Sequence, residues 1–141
     1  DYLEDLGQGQ ALMPASAYEK AKVRELIKQL ELYIELPART CFAEAFFGGT
    51  VSEETKDKAR ASLKKGVECI KRTGKFSPYI AGDTFTYADI MFMYSVSLAG
   101  ACAKRVLGMD LLEDLPEAKA LSELLASRAS AQKIAADQKA G

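Results

Sequence analysis

Thiols and carboxylates are the first side chains of this sequence to consider for chemistry, because it contains no imidazole. Among its 141 residues it has three cysteines, Cys41, Cys69 and Cys102, and no histidine. A thiolate can act as a nucleophile or bind zinc, but these cysteines are odd in number and widely spaced, which fits neither a zinc site nor a disulfide framework. The absence of histidine excludes the common Cys-His and Ser-His pairs. We interpret the cysteines as small apolar residues of a reduced, cytoplasmic protein and expect no metal.

Three glutamates, Glu31, Glu35 and Glu44, lie along the first long predicted helix. A general acid and base must both reach one reacting group, and nothing in this spacing requires that arrangement. We therefore interpret them as surface charges. The sequence also lacks a phosphate-binding glycine loop and a Gly-x-Ser-x-Gly nucleophile elbow. No catalytic motif of this chain's own is predicted.

The charge pattern argues against two classes of partner. The chain has 19 basic and 20 acidic residues, for a net charge of −1, without a basic stripe or block. A nucleic acid or an anionic membrane surface is therefore not expected. The acidic start, Asp1 to Leu6, does not have the form of a signal peptide. The longest apolar stretch, Ile90 to Ala103, is too short to span a bilayer and predicts a buried core helix instead.

Three separate signals in residues 85–90 predict the same helix start. Thr86 is a good N-cap, whose hydroxyl can accept the free amide three residues on. Asp89 stands at N3, where its carboxylate can reach back to the Thr86 amide. Phe85 and Ile90 have the spacing of a hydrophobic staple across the same boundary. The helix that follows extends to about Arg105 and is apolar almost all round, which predicts burial on every side.

Apolar residues recur at helical spacing along the chain, and the alternation typical of strands does not. The stripe predicted for the first long helix comprises Val23, Leu26, Ile27, Leu30, Tyr33, Ile34 and Pro37, and that of the second comprises Ala59, Leu63, Gly66, Val67 and Ile70. Pro37 is expected to kink the first helix rather than end it, because helical spacing resumes after it.

The first predicted elements are a short helix ending at Leu6, a long helix from Ser16 to Gly48, and a helix from Thr50 or Ser52 to Gly74. The apolar helix from Thr86 follows, and then a short helix at 109–113. The last two are a helix capped by Asp114, with Pro116 in its first turn, and a helix from Ser130 that carries Ile134 inward. The sequence therefore predicts an all-α fold, a bundle of five to six helices around a central buried helix.

Three segments carry a family resemblance. The string Gly82-Asp83-x-x-Thr86-x-Ala88-Asp89-Ile90 resembles the capping-box motif in the C-terminal helical domain of cytosolic glutathione S-transferases. The segment Pro14–Lys22 is similar to the entry to that domain's first helix. The segment Arg128–Lys133 is similar to the ending common in bacterial members, with Ala129 where proline is usual. The likeness extends from about Tyr2 to Asp137. It implies a structural role for the capping-box residues Phe85, Thr86, Asp89 and Ile90.

The resemblance implies a particular domain organisation. In this family a thioredoxin-like N-terminal domain binds glutathione and supplies the Tyr, Ser or Cys that acts on its thiol, and no such pattern occurs here. Residues 1–15 resemble the last helix of that domain and the linker, and residues 16–141 resemble the helical domain. Glutathione would be the co-substrate of the whole enzyme, which would be a homodimer acting on a small electrophile. This chain alone is expected to be inactive.

The resemblance also implies which residues line the electrophile site. The C-terminal half of the long helix should form its wall, with Arg39 as a polar contact, Phe42 as an apolar surface and Tyr33 as a further contact. Each has a structural alternative: Phe42 and Tyr33 could belong to the core, and Arg39 could be a solvated charge. In some members an acidic residue of one subunit contacts the glutathione bound to the other subunit. In this chain that residue could be Glu31 or Glu35.

A second function remains open at this point. The same helical domain resembles interaction modules attached to elongation factors, aminoacyl-tRNA synthetases and transcription-associated proteins. Because a fold does not fix a function, the sequence is consistent with a non-catalytic protein-interaction module. The bacterial-type segments at both ends favour the enzyme.

Overall fold

A computed structural model describes residues 2–140; Asp1 and Gly141, at the outer ends of the two predicted domain segments, lie outside the described residues. The helices in chain order are α1 (Tyr2–Asp5), α2 (Ala17–Leu30), a first π-helical segment (Glu31–Glu35), α3 (Leu36–Arg39), α4 (Phe42–Phe47), α5 (Glu53–Thr73), α6 (Tyr87–Cys102), a second π-helical segment (Ala103–Leu107), α7 (Pro116–Ala126) and α8 (Ala129–Ala140). Within the described residues, strand-like pairing is limited to one isolated bridge between Tyr79 and Gly82. The predicted all-α fold is confirmed.

The first long helix changes its winding where proline was expected to kink it. Ser16 caps α2 by accepting from the Glu19 amide at 3.1 Å, as predicted. The helix then widens into the first π-helical segment immediately before Pro37, which lies in the first turn of α3. A proline ring clashes with the carbonyl four residues earlier in a regular α-helix, and a wider turn relieves that clash. A further break at Thr40 and Cys41, which was not predicted, separates α3 from α4.

Helix α5 packs along this widened region, as its apolar stripe predicts. It begins after the N-cap Ser52, which accepts from the Thr55 amide at 3.2 Å, and ends at Gly74. Its five predicted inward positions are all buried. The two helices approach closely at Gly66, because a Cβ there would lie 2.2 Å from the Tyr33 carbonyl oxygen. A side chain at this position would therefore clash with the backbone of the partner helix.

We expect Gly66→Ala to lower the free energy of unfolding by about 1–3 kcal/mol, because overpacking at a rigid helix contact forces the backbone apart. Gly100→Ala is the matched control: Gly100 also lies within a helix, but a Cβ there would meet nothing within 4 Å. Relief of glycine's helix penalty should make the control neutral or up to about 1 kcal/mol more stable. Urea unfolding followed by circular dichroism measures both. Equal stability of the two variants would contradict the close packing described here.

Helix α6 occupies the centre of the bundle but is not buried on every side. It packs against α2, the first π-helical segment, α3, α4 and α7. The prediction of complete burial is wrong, because Tyr94 and Leu98 on its outer face are 39% and 45% exposed. By length and composition alone, the continuous helix Tyr87–Leu107 could also cross a membrane, contrary to the sequence-based expectation. Its inner face, however, is built into the core around Phe92 and Ala99.

The capping box at the start of α6 forms as predicted. One carboxylate oxygen of Asp89 accepts from the Thr86 amide at 2.8 Å, and the other accepts from the Ile80 amide at 2.9 Å. The Thr86 hydroxyl accepts from the amide of Ala88 at 3.3 Å. Both box residues are buried. The Asp89 carboxylate thus fixes the preceding loop as well as the helix. The staple between Phe85 and Ile90 stays a prediction.

The segment before α2 completes this cap. The Tyr87 amide, a donor of the first turn that has no partner inside the helix, bonds to the Leu12 carbonyl at 3.2 Å. The amides of Leu12 and Met13 in turn bond to the Glu4 carboxylate of α1 at 3.1–3.2 Å. The residues preceding the bundle are therefore attached to the start of its central helix.

The C-terminal elements differ from the prediction in three places. Residues 109–113 do not form a helix: within 108–115 the chain makes turns, one held by the Leu112 amide on the Asp110 carboxylate at 3.0 Å. Asp114 does not cap α7, whose N-cap is Leu115, because Pro116 fixes the first helical residue one place later. In α8, Ala131 is the buried residue and Ile134 is exposed, so the last helix presents a small residue inward.

Candidate functional site

The centre of the candidate site is a chain of polar contacts from α3 to α6. Two guanidinium nitrogens of Arg39, Nε and Nη2, donate to Glu35 Oε1 at 2.9 and 2.6 Å. The second carboxylate oxygen of Glu35 accepts from the Ser95 hydroxyl at 2.6 Å. Glu35 is only 17% exposed, whereas Arg39 is 56% exposed. The interpretation of Glu35 as a surface charge is therefore wrong: it is a mostly buried group that holds Arg39 at the surface.

Two phenylalanines on α4 extend this site. The Phe42 and Phe46 rings meet edge to face, with centroids 5.0 Å apart. The guanidinium carbon of Arg39 lies 5.9 Å from the Phe42 centroid, and that of Arg105 lies 5.2 Å from the Phe46 centroid. We call these four residues the arginine–phenylalanine cluster. Phe42 and Phe46 pack on the core with one side and remain partly exposed on the other.

The electrostatics of the site favour an ionised Glu35. Hydrogen bonds from Ser95 and then from Arg39 stabilise its charged form, and they lower the pKa of its carboxyl below the ordinary value of 4.5 despite the opposing effect of burial. A carboxyl whose pKa falls on folding stabilises the fold above its unfolded-state pKa, and that contribution is lost as the pH drops through the folded-state pKa. Glu35 should thus act as a fixed negative group at neutral pH.

We expect Glu35→Gln to lower the free energy of unfolding by about 1 kcal/mol at pH 7, since it weakens charge-assisted hydrogen bonds to Arg39 and Ser95. The difference from the wild type should shrink as the pH falls below the ordinary value of 4.5 and then through the lower folded-state pKa, where the native carboxyl takes up its proton. Urea unfolding at several pH values measures this. Glu31→Gln is the control, because Glu31 forms an ion pair with the exposed Lys28. A gap that stays constant down to pH 3 would contradict the assignment.

Tyr33 lies in a different place from the other predicted site residues. It is 48% exposed, so the core alternative for it is wrong. It lines a groove of about 420 Å³ between the first π-helical segment and α5, to which neither Arg39 nor Phe42 contributes. The groove is lined by Leu32, Tyr33, Pro37, Ser62, Lys65, Gly66, Cys69 and Arg72. The structure therefore brings Arg39 and Phe42 together and separates Tyr33 from them.

The remaining candidate groups have structural surroundings. Cys41 and Cys102 are buried and Cys69 is half-buried. Burial raises the pKa of the Cys102 thiol to about 11, so it is not a thiolate at neutral pH. Glu44 accepts from the Val51 amide at 2.8 Å and pairs with Lys56 at 3.0 Å, which ties the end of α4 to α5. None of these groups belongs to the arginine–phenylalanine cluster.

Three members of this site were not predicted: Ser95, Phe46 and Arg105. The position of Phe46 along its helix indicates packing only. Ser95 and Arg105 reach the site from α6 and the second π-helical segment, each bonding to a residue 60 positions earlier in the chain. A single sequence carries no signal for such a distant pairing.

Comparison with known proteins identifies the family. The family model described as "Glutathione S-transferase, C-terminal domain" matches residues 38–136, which include the whole cluster and the capping box. The chain belongs to the glutathione S-transferase C-terminal domain family. It is also 53% identical to a glutathione S-transferase of Pseudomonas putida over 140 residues, which is 99% of this chain and 64% of that relative. The resemblance seen in the sequence is confirmed.

Solved structures show the same fold for this glutathione S-transferase domain. A glutathione S-transferase of Rhodospirillum rubrum superposes with a TM-score of 0.70 at 25% identity, over 92% of this chain and 59% of that one. A maleylacetoacetate isomerase of Anaeromyxobacter dehalogenans, solved with dicarboxyethyl glutathione and citrate in its active site, gives a TM-score of 0.71 at 22% identity, over 93% and 57%. The chain thus spans about 60% of the length of these relatives.

Proposed function

We propose that this chain is the helical domain of a glutathione S-transferase, in which it forms the wall of the electrophile site and part of the dimer contacts. In this proposal residues 1–15 are the last helix of a thioredoxin-like domain and the linker, and residues 16–141 are the helical domain. The attachment of residues 12 and 13 to α1, and of residue 12 to α6, supports a fixed junction between two domains. The reducing cytoplasm is the setting that suits three unpaired cysteines.

The observation that carries the proposal is the arginine–phenylalanine cluster. It offers two partly exposed phenyl rings for an apolar electrophile beside an Arg39 guanidinium held by the mostly buried Glu35. Such a surface, apolar with a few fixed polar groups, is what small-molecule sites require. Phe47 and Leu36 nearby in sequence leave large apolar side chains exposed, which agrees with a surface that another domain covers.

The chemistry would be divided between the domains. The thioredoxin-like domain would bind glutathione and favour its thiolate, which is the nucleophile. The sulfur then forms a bond to the electrophilic carbon, and a leaving group such as chloride departs. This chain would hold the electrophile so that its reacting carbon faces the sulfur, and such positioning supplies part of the acceleration. The chain contributes no catalytic residue of its own in this proposal.

The test is to fuse this chain behind a thioredoxin-like domain taken from the Pseudomonas putida relative; we call the product the joined protein. Glutathione and 1-chloro-2,4-dinitrobenzene are the substrates, and conjugate formation is followed by absorbance. We expect conjugation by the joined protein and only the uncatalysed rate with the chain alone. A folded joined protein without activity would contradict the proposal. Capture of a specific protein by such an inactive form would favour the interaction module.

A further inference from the structure

Arg105 contributes the unbalanced positive charge of the arginine–phenylalanine cluster. It lies on the second π-helical segment and reaches α4, where its Nη1 donates to the Ala45 carbonyl at 3.3 Å. A guanidinium has five N–H donors, and no other hydrogen bond from Arg105 occurs within the described residues. No carboxylate of residues 2–140 lies within 4 Å of it. Its charge and most of its donors therefore remain available to a ligand.

The acidic groups closest in sequence to the cluster are already engaged. Glu35 balances Arg39 and holds Ser95, so both of its oxygens already accept hydrogen bonds. Glu44 is the acidic residue of α4, and its two oxygens bond to Lys56 and to the Val51 amide. The cluster thus combines one neutralised guanidinium, one unneutralised guanidinium and two phenyl rings.

We propose that Arg105 determines substrate specificity by binding the carboxylate of an anionic electrophile, an aromatic or unsaturated carboxylic acid. This inference rests on the proposed function for the reaction, but not for the binding. A planar guanidinium matches a carboxylate with two parallel hydrogen bonds. Phe46 orients the guanidinium through its ring, and the partly exposed rings of Phe42 and Phe46 contact the apolar body of the acid.

Binding to the present chain tests the proposal without any reaction. The probes are 3,5-dinitrobenzoate and its neutral counterpart 1,3-dinitrobenzene, titrated into the 141-residue chain and followed by NMR. We expect the anion to bind about tenfold more tightly, which is the effect of one charge-assisted contact of about 1.4 kcal/mol. Arg105→Gln should abolish the preference, and Arg105→Lys, which keeps the charge, should retain part of it. Lys104→Gln removes a neighbouring exposed cation and should leave the preference unchanged.

Three outcomes would overturn the proposal: equal binding of the two probes by the wild type, no detectable binding of 3,5-dinitrobenzoate, or a preference that survives Arg105→Gln. Circular dichroism of each variant shows whether the loss of the contact to Ala45 has disturbed α4. The Arg105→Lys variant keeps the proposal decidable if Arg105→Gln unfolds.

The joined protein then separates this inference from the proposed function. The substrates are 1-chloro-2,4-dinitrobenzene and the carboxylated halide 4-chloro-3,5-dinitrobenzoate. Arg105→Gln should lower the ratio of kcat/KM for the carboxylated halide to that for the neutral halide about tenfold, and Lys104→Gln should not. If both halides are conjugated and Arg105→Gln leaves the ratio of the two kcat/KM values unchanged, the role of Arg105 is rejected and the proposed function stands. Conjugation of neither would reject the proposed function, and the binding experiment would still decide the role of Arg105.

Discussion

Replacement of Asp89 by alanine is expected to destabilise this domain by about 3–5 kcal/mol. The change leaves the buried amides of Ile80 and Thr86 without partners, and each buried unsatisfied group costs about 1–3 kcal/mol. Loss of the helix cap adds about 0.5–2 kcal/mol. A domain with a total stability of about 5–15 kcal/mol would lose a large part of it. Urea unfolding followed by circular dichroism measures the change.

Two variants make the Asp89 result interpretable. Asp83→Ala removes an exposed aspartate of the same loop, which accepts only from the Thr84 hydroxyl, and should change stability by less than about 0.5 kcal/mol. Asp89→Asn keeps the volume but replaces one accepting oxygen by a donor, so it should also be clearly destabilising. If Asp89→Ala unfolded at the same urea concentration as Asp83→Ala, the account of the capping box would be wrong.

The second large effect is expected at Phe42, in the joined protein. Phe42→Ala should lower kcat/KM for 1-chloro-2,4-dinitrobenzene about 10- to 100-fold, because an aromatic contact of about 1.5–3 kcal/mol with the electrophile is lost. The KM for glutathione should change little, since glutathione would bind the other domain. Steady-state kinetics with each substrate varied in turn measures both effects.

Phe76→Ala controls for a general loss of packing. Phe76 is also half-buried and meets Phe92 edge to face at 6.4 Å, outside the arginine–phenylalanine cluster. It should reduce stability but leave kcat/KM of the folded protein near that of the wild type. Tyr33→Ala tests the competing groove beside α5. A larger loss of kcat/KM from Tyr33→Ala than from Phe42→Ala would move the electrophile site to that groove.

Local signals predicted the fold well where one element contains both partners of an interaction. Thr86 and Asp89 are three residues apart, so their reciprocal hydrogen bonds follow from side-chain chemistry and helix geometry alone. The buried stripe of α5, from Ala59 to Ile70, follows from one uninterrupted helical period. Gly66 was predicted to face inward within that stripe. Its close approach to the Tyr33 carbonyl could not be predicted, because it depends on how the partner helix packs.

Prediction failed where the helical period changes or where the partner is distant in sequence. Ile34 is buried as predicted, but the π-helical widening before Pro37 places Ala38 inside in place of Pro37. Tyr33 turns outward although a regular period places it inside. The Glu35 interpretation failed for another reason. Ser95, which draws its carboxylate into the protein, is 60 residues away. Arg39 and Phe42 were therefore predicted as site residues only through family resemblance.

Calorimetry of the joined protein with glutathione and with S-hexylglutathione tests most directly whether this chain forms the wall of the electrophile site. The quantity compared is the affinity for the two ligands. Each buried methylene contributes about 0.8 kcal/mol. We predict that S-hexylglutathione binds at least tenfold more tightly, and that Phe42→Ala reduces this ratio without changing the affinity for glutathione. A ratio near one, or a ratio that Phe42→Ala leaves unchanged, would contradict the claim.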